Sequence, residues 1–317
     1  MDLKDLKIGV LGGGISGERE ISLISSECVC KALSSLSLSF SFIDITTTDQ
    51  HSLSKQLISA GIDLAFIALH GEFGEDGKIQ NILEDLGLIY NGSGVNASRL
   101  AMDKILTKKI FFDNGIETPD FRICSDKRFL PGDLSLPIVI KPSNSGSSLG
   151  VSVVEQESFL PLAAEKAFEF SEKIILEEYI PGRELTVGIL NEEPLGVVEI
   201  LPKTGYYDFA AKYSDGQCDF IAPAALDPGT YRRCQQLSLS AHKVLGCRDF
   251  SRVDLRLASD NTPFVLEVNS IPGLTSHSLL PLTAKVMGLS FPDLVLKMII
   301  PAYQRFTHQI IEKNIKI

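Results

Sequence analysis

Residues 251 to 275 read SRVDLRLASDNTPFVLEVNSIPGLT, two β-rich runs on either side of the tight-turn pair Asp260-Asn261. A two-residue turn at that pair sets Asp254 opposite Glu267 and Arg252 opposite Asn269. The alternate face carries Val253, Leu255, Leu257, Phe264, Leu266 and Val268, an apolar layer that belongs against a core. Opposed residues in such a hairpin lie about 4.5 to 5.5 Å apart at Cβ, and two carboxylates there destabilise the sheet unless a cation lies between them. Mg²⁺ suits the position: it is a hard ion that takes a few carboxylates and shares its remaining shell with water and phosphate oxygens, and Asn269 adds an oxygen on the same face. Arg252 stands beside that ion as a second positive group. Arg256 falls on the polar face nearer the turn, where the pattern assigns it no role.

The chain has 317 residues, 44% hydrophobic and 22% charged, enough for two or three domains with cores of their own. Its net charge of −10 argues against a broad nucleic-acid surface, so any anion must be gripped locally. No apolar run approaches the roughly 20 residues of a membrane span, and the start MDLKDLKIGVL enters a strand without a signal-peptide pattern; no membrane association and a cytoplasmic location are expected. The cysteines, at positions 28, 30, 124, 218, 234 and 247, form no CxxC pair and no grouping with His, which points to free thiols rather than zinc or disulfides.

From the N-terminus, KIGVLGGGISGEREISLISSECVCKAL reads as strand, Gly-rich turn and amphipathic helix, with a second strand near Leu38 to Ile45. Gly12, Gly14 and Gly17 match GxGxxG, which raises a dinucleotide-dependent oxidoreductase. Glu18 counts against it, because a carboxylate at the helix start repels a pyrophosphate and suits a substrate ammonium better. The next strand, IDLAFIALH, delivers His70 and the loop GEFGEDG to a carboxyl end of an α/β sheet, where ligands of open sheets bind. The run around Gly92 and Gly94 reads as a domain boundary.

Beyond it, SRLAMDKILTKKIFFDNG reads as one helix with Lys104 in its first half. LPIVIKPSNSGSSLGVSVV then places two strands around a small flexible loop. Gly146 and Gly150 permit close backbone approach there, Ser143, Ser145, Ser147 and Ser148 offer hydroxyls, and Lys141 enters as a point charge, a composition suited to an anion nest. A strand follows and GK[ST] is missing, so this is not a Walker loop. KIILEEYIPGRELTVGIL supplies Glu177 and Glu184, residue types that accept from ribose hydroxyls or an amino group. Tyr206 to Gln217 reads as a lid loop centred on Lys212 and Tyr213. After the hairpin, the chain breaks at Pro272-Gly273 and restarts as a helix near Ser278, whose N-terminus suits a carboxylate. From Pro301 onward a last helix of mixed charge is predicted.

In order, the blocks GGGISGEREISL, ALHGEFGEDGKIQNILEDLGLIYNGSGVNAS, MDK, KPSNSGSSLGVS, YYDFAAKY, RVDL and LEVNSIPGLTSHSL resemble the D-alanine:D-alanine ligase family, ATP-grasp enzymes of peptidoglycan precursor synthesis, over nearly the whole chain. The resemblance implies three α/β domains, the first with an open parallel sheet, spanning residues 1–93, 94–181 and 182–317, and ATP held between the second and third. It implies phosphorylation of one D-alanine carboxylate, attack by the amine of a second, and loss of phosphate from a tetrahedral intermediate. Carried onto this sequence, Glu18 would orient the first ammonium with Ser147 and Tyr213 around it and His70 nearby. Lys104, Lys141, Ser148 and Lys212 would hold ATP phosphates, Glu177, Glu178, Tyr179 and Ile180 the adenine side, and Glu184 the ribose. Asp254, Glu267 and Asn269 would bind two Mg²⁺ ions, with Mn²⁺ as a substitute. Arg252 and the Gly273 backbone would stabilise the oxyanion, and Ser278 with Leu279 would receive the second carboxylate. A homodimer is also implied. Arg256 departs from a position often apolar in the family, and AAKY replaces a frequent acidic-Ala-Lys-Tyr run. Two rivals within reach of the sequence are a nucleotide-binding module without turnover and a ligase that joins D-alanine to a D-hydroxy acid.

Overall fold

The computed structural model describes residues 2–126, 134–203 and 216–315; Lys212 and Tyr213 lie outside them, as does all of the expected lid except Gly216 and Gln217. Three sheets follow one another along the chain. The first is parallel, in the order β2-β1-β3-β4, from β1 (Lys7–Gly13), β2 (Ser39–Ile45), β3 (Leu64–Ile67) and β4 (Ile89–Tyr90). Its connections are α1 (Arg19–Ser35), α2 (Gln50–Ala60) and α3 (Lys78–Asp85). Ile8, Val10, Leu11, Leu64, Phe66 and Ile67 are buried on both faces of the sheet, as a parallel sheet flanked by helices requires. The carboxyl ends of β1 and β3 lead directly into the segments carrying Glu18 and His70.

The single helix predicted from Ser98 is two, α4 (Val95–Met102) and α5 (Lys104–Asp113). Asp103 breaks them: its backbone is extended, and its carboxylate accepts from the amides of Ile105 and Leu106 at 3.0 and 3.1 Å. A good N-cap inside a helical pattern thus starts a new helix, with Lys104 as its first residue.

The second sheet, β5-β8-β6-β7, is antiparallel and comprises β5 (Phe121–Cys124), β6 (Ile138–Pro142), β7 (Ser152–Val154) and β8 (Ile174–Glu178). Helix α6 (Leu160–Phe168) covers one face through Leu160, Ala163, Ala164 and Ala167. The third sheet, β11-β10-β9-β12-β13, comprises β9 (Gly182–Leu190), β10 (Glu193–Pro202), β11 (Cys218–Ile221), β12 (Phe250–Ala258) and β13 (Pro263–Asn269). Helix α7 (Pro228–Val244) packs on one face with Ala97, Ala101 and Phe111 of α4 and α5. Helix α8 (Leu279–Val286) lies close on the other, where a Cβ on Gly188 or Gly196 would collide with Thr283 or Val286.

The hairpin β12-β13 corrects the predicted register in one half. The turn has three residues, with Ala258 bonded to Thr262 and Asn261 in the left-handed region at φ 65°, a common alternative to the two-residue turn. The added residue puts Leu255 opposite Val265 and Arg256 opposite Phe264. A bulge at Leu266 then restores the predicted pairs Asp254–Glu267, Val253–Val268 and Arg252–Asn269. Val265 therefore takes the core position, fully buried, while Phe264 and Leu266 are only half-buried and do not join the apolar layer assigned to them.

The last helix, α9, runs Phe291–Ile315, so it starts well before Pro301 and carries that proline inside it. Proline cannot donate to the carbonyl of Lys297, but the Asn191 side chain does, at 3.3 Å, which removes one cost of the interruption. Leu294, Val295, Met298, Ile299 and Ala302 of α9 share a core with Ile8, Val10, Val29 and Leu33 of the first sheet and α1. Arg305 forks onto Asp249 at 2.7 and 2.6 Å and donates to Tyr90 O at 2.9 Å, while Gly92 N–H donates to Asp249 at 2.8 Å. That cluster ties the first sheet to the third. Among the described residues no single helix is long and apolar enough to cross a membrane, and all six cysteines are free thiols.

Candidate active site

Strand β12 has β9 on one side and β13 on the other, and their cleft-facing residues form three rows. Gly188, Arg252 and Asn269 make the first, Thr186, Asp254 and Glu267 the second, Glu184, Arg256 and Phe264 the third. Arg252 forks onto Asp254, Nε to Oδ1 at 2.9 Å and Nη2 to Oδ2 at 2.7 Å. Asp254 also accepts from Thr186 Oγ1 at 2.7 Å and Asn269 Nδ2 at 3.0 Å, and Lys104 Nζ lies 3.3 Å from Glu267 Oε2. The opposed carboxylates are thus balanced by an arginine and a lysine, one on each. No group of three or more His, Cys, Asp or Glu suited to a metal occurs among the described residues; the hard-oxygen set is two carboxylates and one amide. It fits Mg²⁺ shared with phosphate oxygens and does not fit a closed all-protein cage.

The Gly/Ser loop between β6 and β7 crosses above these rows. Ser147 and Ser148 both have positive φ, 50° and 56°, a conformation that costs a non-glycine residue about 1 kcal/mol or more unless held by its surroundings. The Ser147 hydroxyl donates to the Glu18 carboxylate across the cleft, and Lys104 ties the loop through its N–H to Ser143 O at 2.9 Å and its Nζ to Ser145 O at 2.8 Å. Glu18 precedes α1 but makes no side-chain cap bond, so its carboxylate is turned to the cleft rather than to the helix.

Loop and hairpin divide their residues between two adjoining pockets. Ser145, Ser148, Asp254, Arg256 and Glu267 face one, together with Lys104, Lys141, the segment 177–180 and Glu184. Gly146, Ser147, Arg252 and Asn269 face the other, with Glu18, His70, Gly273, Ser278 and Leu279. The first carries Lys104 and Lys141 in its wall. The second is smaller and holds a carboxylate at one end and the start of α8 at the other, where Ser278 Oγ accepts from the Thr275 amide at 2.9 Å. A Cβ on Gly273 would come within 2.7 Å of Ser278 Oγ, so the glycine keeps this corner open.

Family models for the D-ala D-ala ligase N-terminus and C-terminus match residues 47–93 and 117–300. The chain belongs to the D-alanine–D-alanine ligase family. It is 43% identical over 304 residues to a D-alanine–D-alanine ligase of Geotalea uraniireducens, covering 95% of this chain and 97% of that protein. A D-alanine–D-alanine ligase of Desulforudis audaxviator is 44% identical over 308 residues, with 94% and 99% covered. Among solved structures, the Bacillus anthracis ligase complexed with ATP superimposes with a TM-score of 0.84 at 30% identity, covering 96% of this chain and 99% of that one. A second structure of that ligase gives 0.85 at 33%, with the same coverage. The three-sheet α/β architecture is that of the family, which is a ligase family and not the oxidoreductase that GxGxxG raised.

Beside the cleft lie residues that the sequence does not single out: Lys108 behind Glu177, and Ser25 and Glu75 around His70. Lys108, one helical turn beyond Lys104, is fully buried; its Nζ lies 2.5 Å from Glu177 Oε1 and donates to Thr118 Oγ1 at 2.7 Å and Pro119 O at 3.2 Å. Lys141 pairs with the other Glu177 oxygen. Burial pushes the Lys108 ammonium down to about 8 despite Glu177. Burial alone would raise the Glu177 carboxyl, but the Lys108 and Lys141 charges outweigh it and hold it below its ordinary value. The i, i+4 spacing from Lys104 was the available signal. The second set surrounds His70, whose Nε2 meets Ser25 Oγ at 2.9 Å and whose Nδ1 lies 3.6 Å from Glu75 Oε1. Ser25 Oγ also accepts from the Leu274 amide at 3.3 Å. Burial raises the Glu75 carboxyl, and the Glu18 charge adds to the rise against the pull of His70. Glu75 lay within the GEFGEDG loop but carried no individual mark.

Proposed function

We propose that this chain is an ATP-dependent ligase that joins two D-alanines through an acyl phosphate, giving D-alanyl-D-alanine, ADP and phosphate. The observation that carries the reading is the pair of adjoining pockets lined in common by one loop and one hairpin, because a nucleotide and a small zwitterion placed in them would meet at the shared wall. ATP would lie in the first pocket, its phosphates toward Lys104, Lys141 and Ser148 with Lys212, its base along Glu177, Glu178, Tyr179 and Ile180, its ribose at Glu184. Asp254, Glu267 and Asn269 would hold Mg²⁺, two ions by resemblance and Mn²⁺ as a substitute; when bound, the metal neutralises phosphate charge during transfer. Glu18, fixed by Ser147, would orient the ammonium of the first D-alanine, with Tyr213 and the His70–Glu75 pair supporting it.

A carboxylate oxygen of that D-alanine attacks the γ-phosphorus and ADP leaves. The second D-alanine, its carboxylate at Ser278 and Leu279, gives up an ammonium proton to water and attacks the acyl carbon as a free amine. Arg252 and the Gly273 N–H then face the oxyanion, and phosphate departs. Such chemistry needs positioning and charge neutralisation more than a protein nucleophile. We read the chain as three domains, 1–93, 94–181 and 182–317, with α4, α5 and α9 packing across those bounds. A cytoplasmic homodimer is the proposed setting, supported by the family resemblance, and the acidic net charge fits small-molecule rather than nucleic-acid partners.

The test is phosphate release from ATP and Mg²⁺ with D-alanine, L-alanine or D-lactate, with products identified by mass spectrometry. D-Alanine should be required and the dipeptide should dominate from pH 7 to 9 when D-alanine and D-lactate are equal. Depsipeptide as the main product at pH 8 would replace this reading with a D-alanine–D-lactate ligase. ATP should raise the melting temperature and NADH should not.

A further inference from the structure

The reaction above leaves unused a buried serine behind the smaller pocket. Ser25 lies on α1, fully buried, and its hydroxyl joins two segments far apart in sequence: it meets His70 Nε2 at 2.9 Å and accepts from the Leu274 amide at 3.3 Å. Ser22 Oγ donates to Ala68 O at 2.7 Å and Ser16 Oγ to His70 O at 2.8 Å, so the segment that leaves β3 is fastened to α1 and to the turn before it. The segment 271–274, which follows the hairpin of the third sheet, is seated on the first sheet by two apolar side chains. Ile271 enters the core of Leu11 and Phe73, and Leu274 the core of Ile8 and Val10. Gly273 stands between them and faces the pocket together with His70.

We infer that Ser25 is a positioning residue for the ligation step: it keeps His70 in the Nδ1–H tautomer and, through the Leu274 amide, holds the segment that presents the Gly273 N–H to the oxyanion. The inference rests on the ligase reading proposed above. The tautomer follows from the protons available. Among the described residues, His70 Nε2 is the one acceptor bonded to the Ser25 hydroxyl. If Nε2 carried the proton, the Ser25 oxygen would receive two donors and its own buried proton would have no acceptor, which disfavours that state by about tenfold or more. On the other side of the ring Glu75 Oε1 faces Nδ1 at 3.6 Å and already accepts from the Gly71 amide at 3.1 Å, so an acceptor stands where Nδ1–H points. The imidazole is thus held at one nitrogen and directed to Glu75 at the other. Gly273 has no side chain to fix its backbone; Pro272 restricts the chain before it, and the bond from Leu274 to Ser25 orients the peptide after it. Without the hydroxyl that peptide is free to turn, although Ile271 and Leu274 keep the segment seated. The loss therefore falls on the tetrahedral state and spares the nucleotide.

The experiment compares wild type with Ser25→Ala in three ways: steady-state ligation, inhibition by a phosphinate analogue of the dipeptide in the presence of ATP, and nitrogen NMR of histidine-labelled protein at pH 8. The His70 signals are assigned by their absence in His70→Gln. Wild type should show a neutral His70 with its proton on Nδ1, and Ser25→Ala a mixture of tautomers. Ser25→Ala should lower kcat about tenfold and weaken the phosphinate, whose tetrahedral phosphorus places an oxygen where the oxyanion forms, by about the same factor, with KM for ATP within about twofold of wild type. An Nε2–H tautomer or an imidazolium in wild type overturns the inference, as does an unchanged Nδ1–H tautomer in Ser25→Ala. A folded Ser25→Ala with kcat within about twofold of wild type also overturns it. So does a fall in kcat without a matching loss of phosphinate affinity, because a general loosening does not select the tetrahedral state. Should Ser25→Ala not fold, Ser25→Cys, close in shape but a weak donor and acceptor, carries the same comparison. Wild type that forms no dipeptide from ATP and D-alanine would instead overturn the ligase reading, a result distinct from any of these.

Discussion

Helix α5 sends two lysines, one turn apart, to two carboxylates, and the two pairs differ in kind. Lys108 reaches Glu177 at 2.5 Å with side chains 1% and 2% exposed; Lys104 reaches Glu267 at 3.3 Å with side chains 11% and 27% exposed. In the first pair Lys141 closes the other side of the carboxylate, so three charges are locked where water cannot replace any of them. In the second, solvent and the open pocket lie next to the pair, so a metal ion can take over the role of the lysine and a phosphate that of the carboxylate. Burial thus separates a charge that holds the pocket wall from one available to a ligand, although the residue types and the helix are the same.

The sharpest way to break that contrast is to remove each partner in turn. Lys108→Met leaves Glu177 buried with a single cation, and loss of one member of a buried ion pair costs about 3 to 5 kcal/mol. Urea denaturation should show a drop of that size, and the double variant with Glu177→Gln should recover part of it. A loss below about 1 kcal/mol would mean that water reaches the site and that the two pairs are alike after all.

Glu267→Gln should behave in the opposite way. A partly exposed pair contributes about 0 to 1 kcal/mol to stability, so the melting temperature should barely move. Turnover should fall by at least tenfold, about 1.4 kcal/mol of lost transition-state stabilisation, because one of the two opposed carboxylates proposed for Mg²⁺ is gone. Retention of more than about a tenth of wild-type kcat would remove Glu267 from the metal set.

A smaller effect follows from the proton on Lys108. Burial lowers its pKa from the ordinary lysine value to about 8. Below pH 8 the folded and unfolded chains both carry that proton and the cost of the buried charge is fully present. Between 8 and the ordinary lysine value the unfolded chain binds more protons, so this group makes stability rise with pH, by at most ~1.4 kcal/mol per unit. Wild type measured against Lys108→Met by urea denaturation from pH 7 to 10 should show that relative rise. A flat difference would mean that the pair with Glu177 outweighs burial.

The contrast also explains which parts of the molecule could be read without coordinates. The parallel first sheet, the Gly/Ser loop and the pairs Arg252–Asn269 and Asp254–Glu267 follow from alternation and glycine placement, which are local properties of sequence. The bulge at Leu266 does not, because a three-residue turn and a two-residue turn are both compatible with Asp260-Asn261, and the choice shifted Phe264 and Leu266 off the core. The start of α9 was missed because Pro301 reads as a boundary, whereas Asn191, distant in sequence, satisfies the carbonyl that the proline leaves. Lys108 was passed over for a similar reason: a lysine in a helix is ordinarily solvated, and what buries it is Glu177 from another element.

The smallest expected effect concerns the residue that starts α5 and therefore places both lysines. Asp103 accepts from the amides of Ile105 and Leu106, and loss of such a cap costs about 1 kcal/mol. The first turn frays first when a cap is removed, so Asp103→Ala should disturb Lys104 more than Lys108, which is fixed further along by Glu177, Thr118 and Pro119. We expect a melting temperature a few degrees lower and a KM for ATP raised about threefold, with kcat nearly unchanged, the pattern of weakened binding that is the same in ground and transition states. Asp103→Asn, which caps about as well, should restore both. If Asp103→Ala lowers stability but leaves the KM for ATP unmoved, then the bonds of Lys104 to Ser143 and Ser145 hold it without the helix, and the two lysines owe their different roles to the loop above one of them rather than to their places on α5.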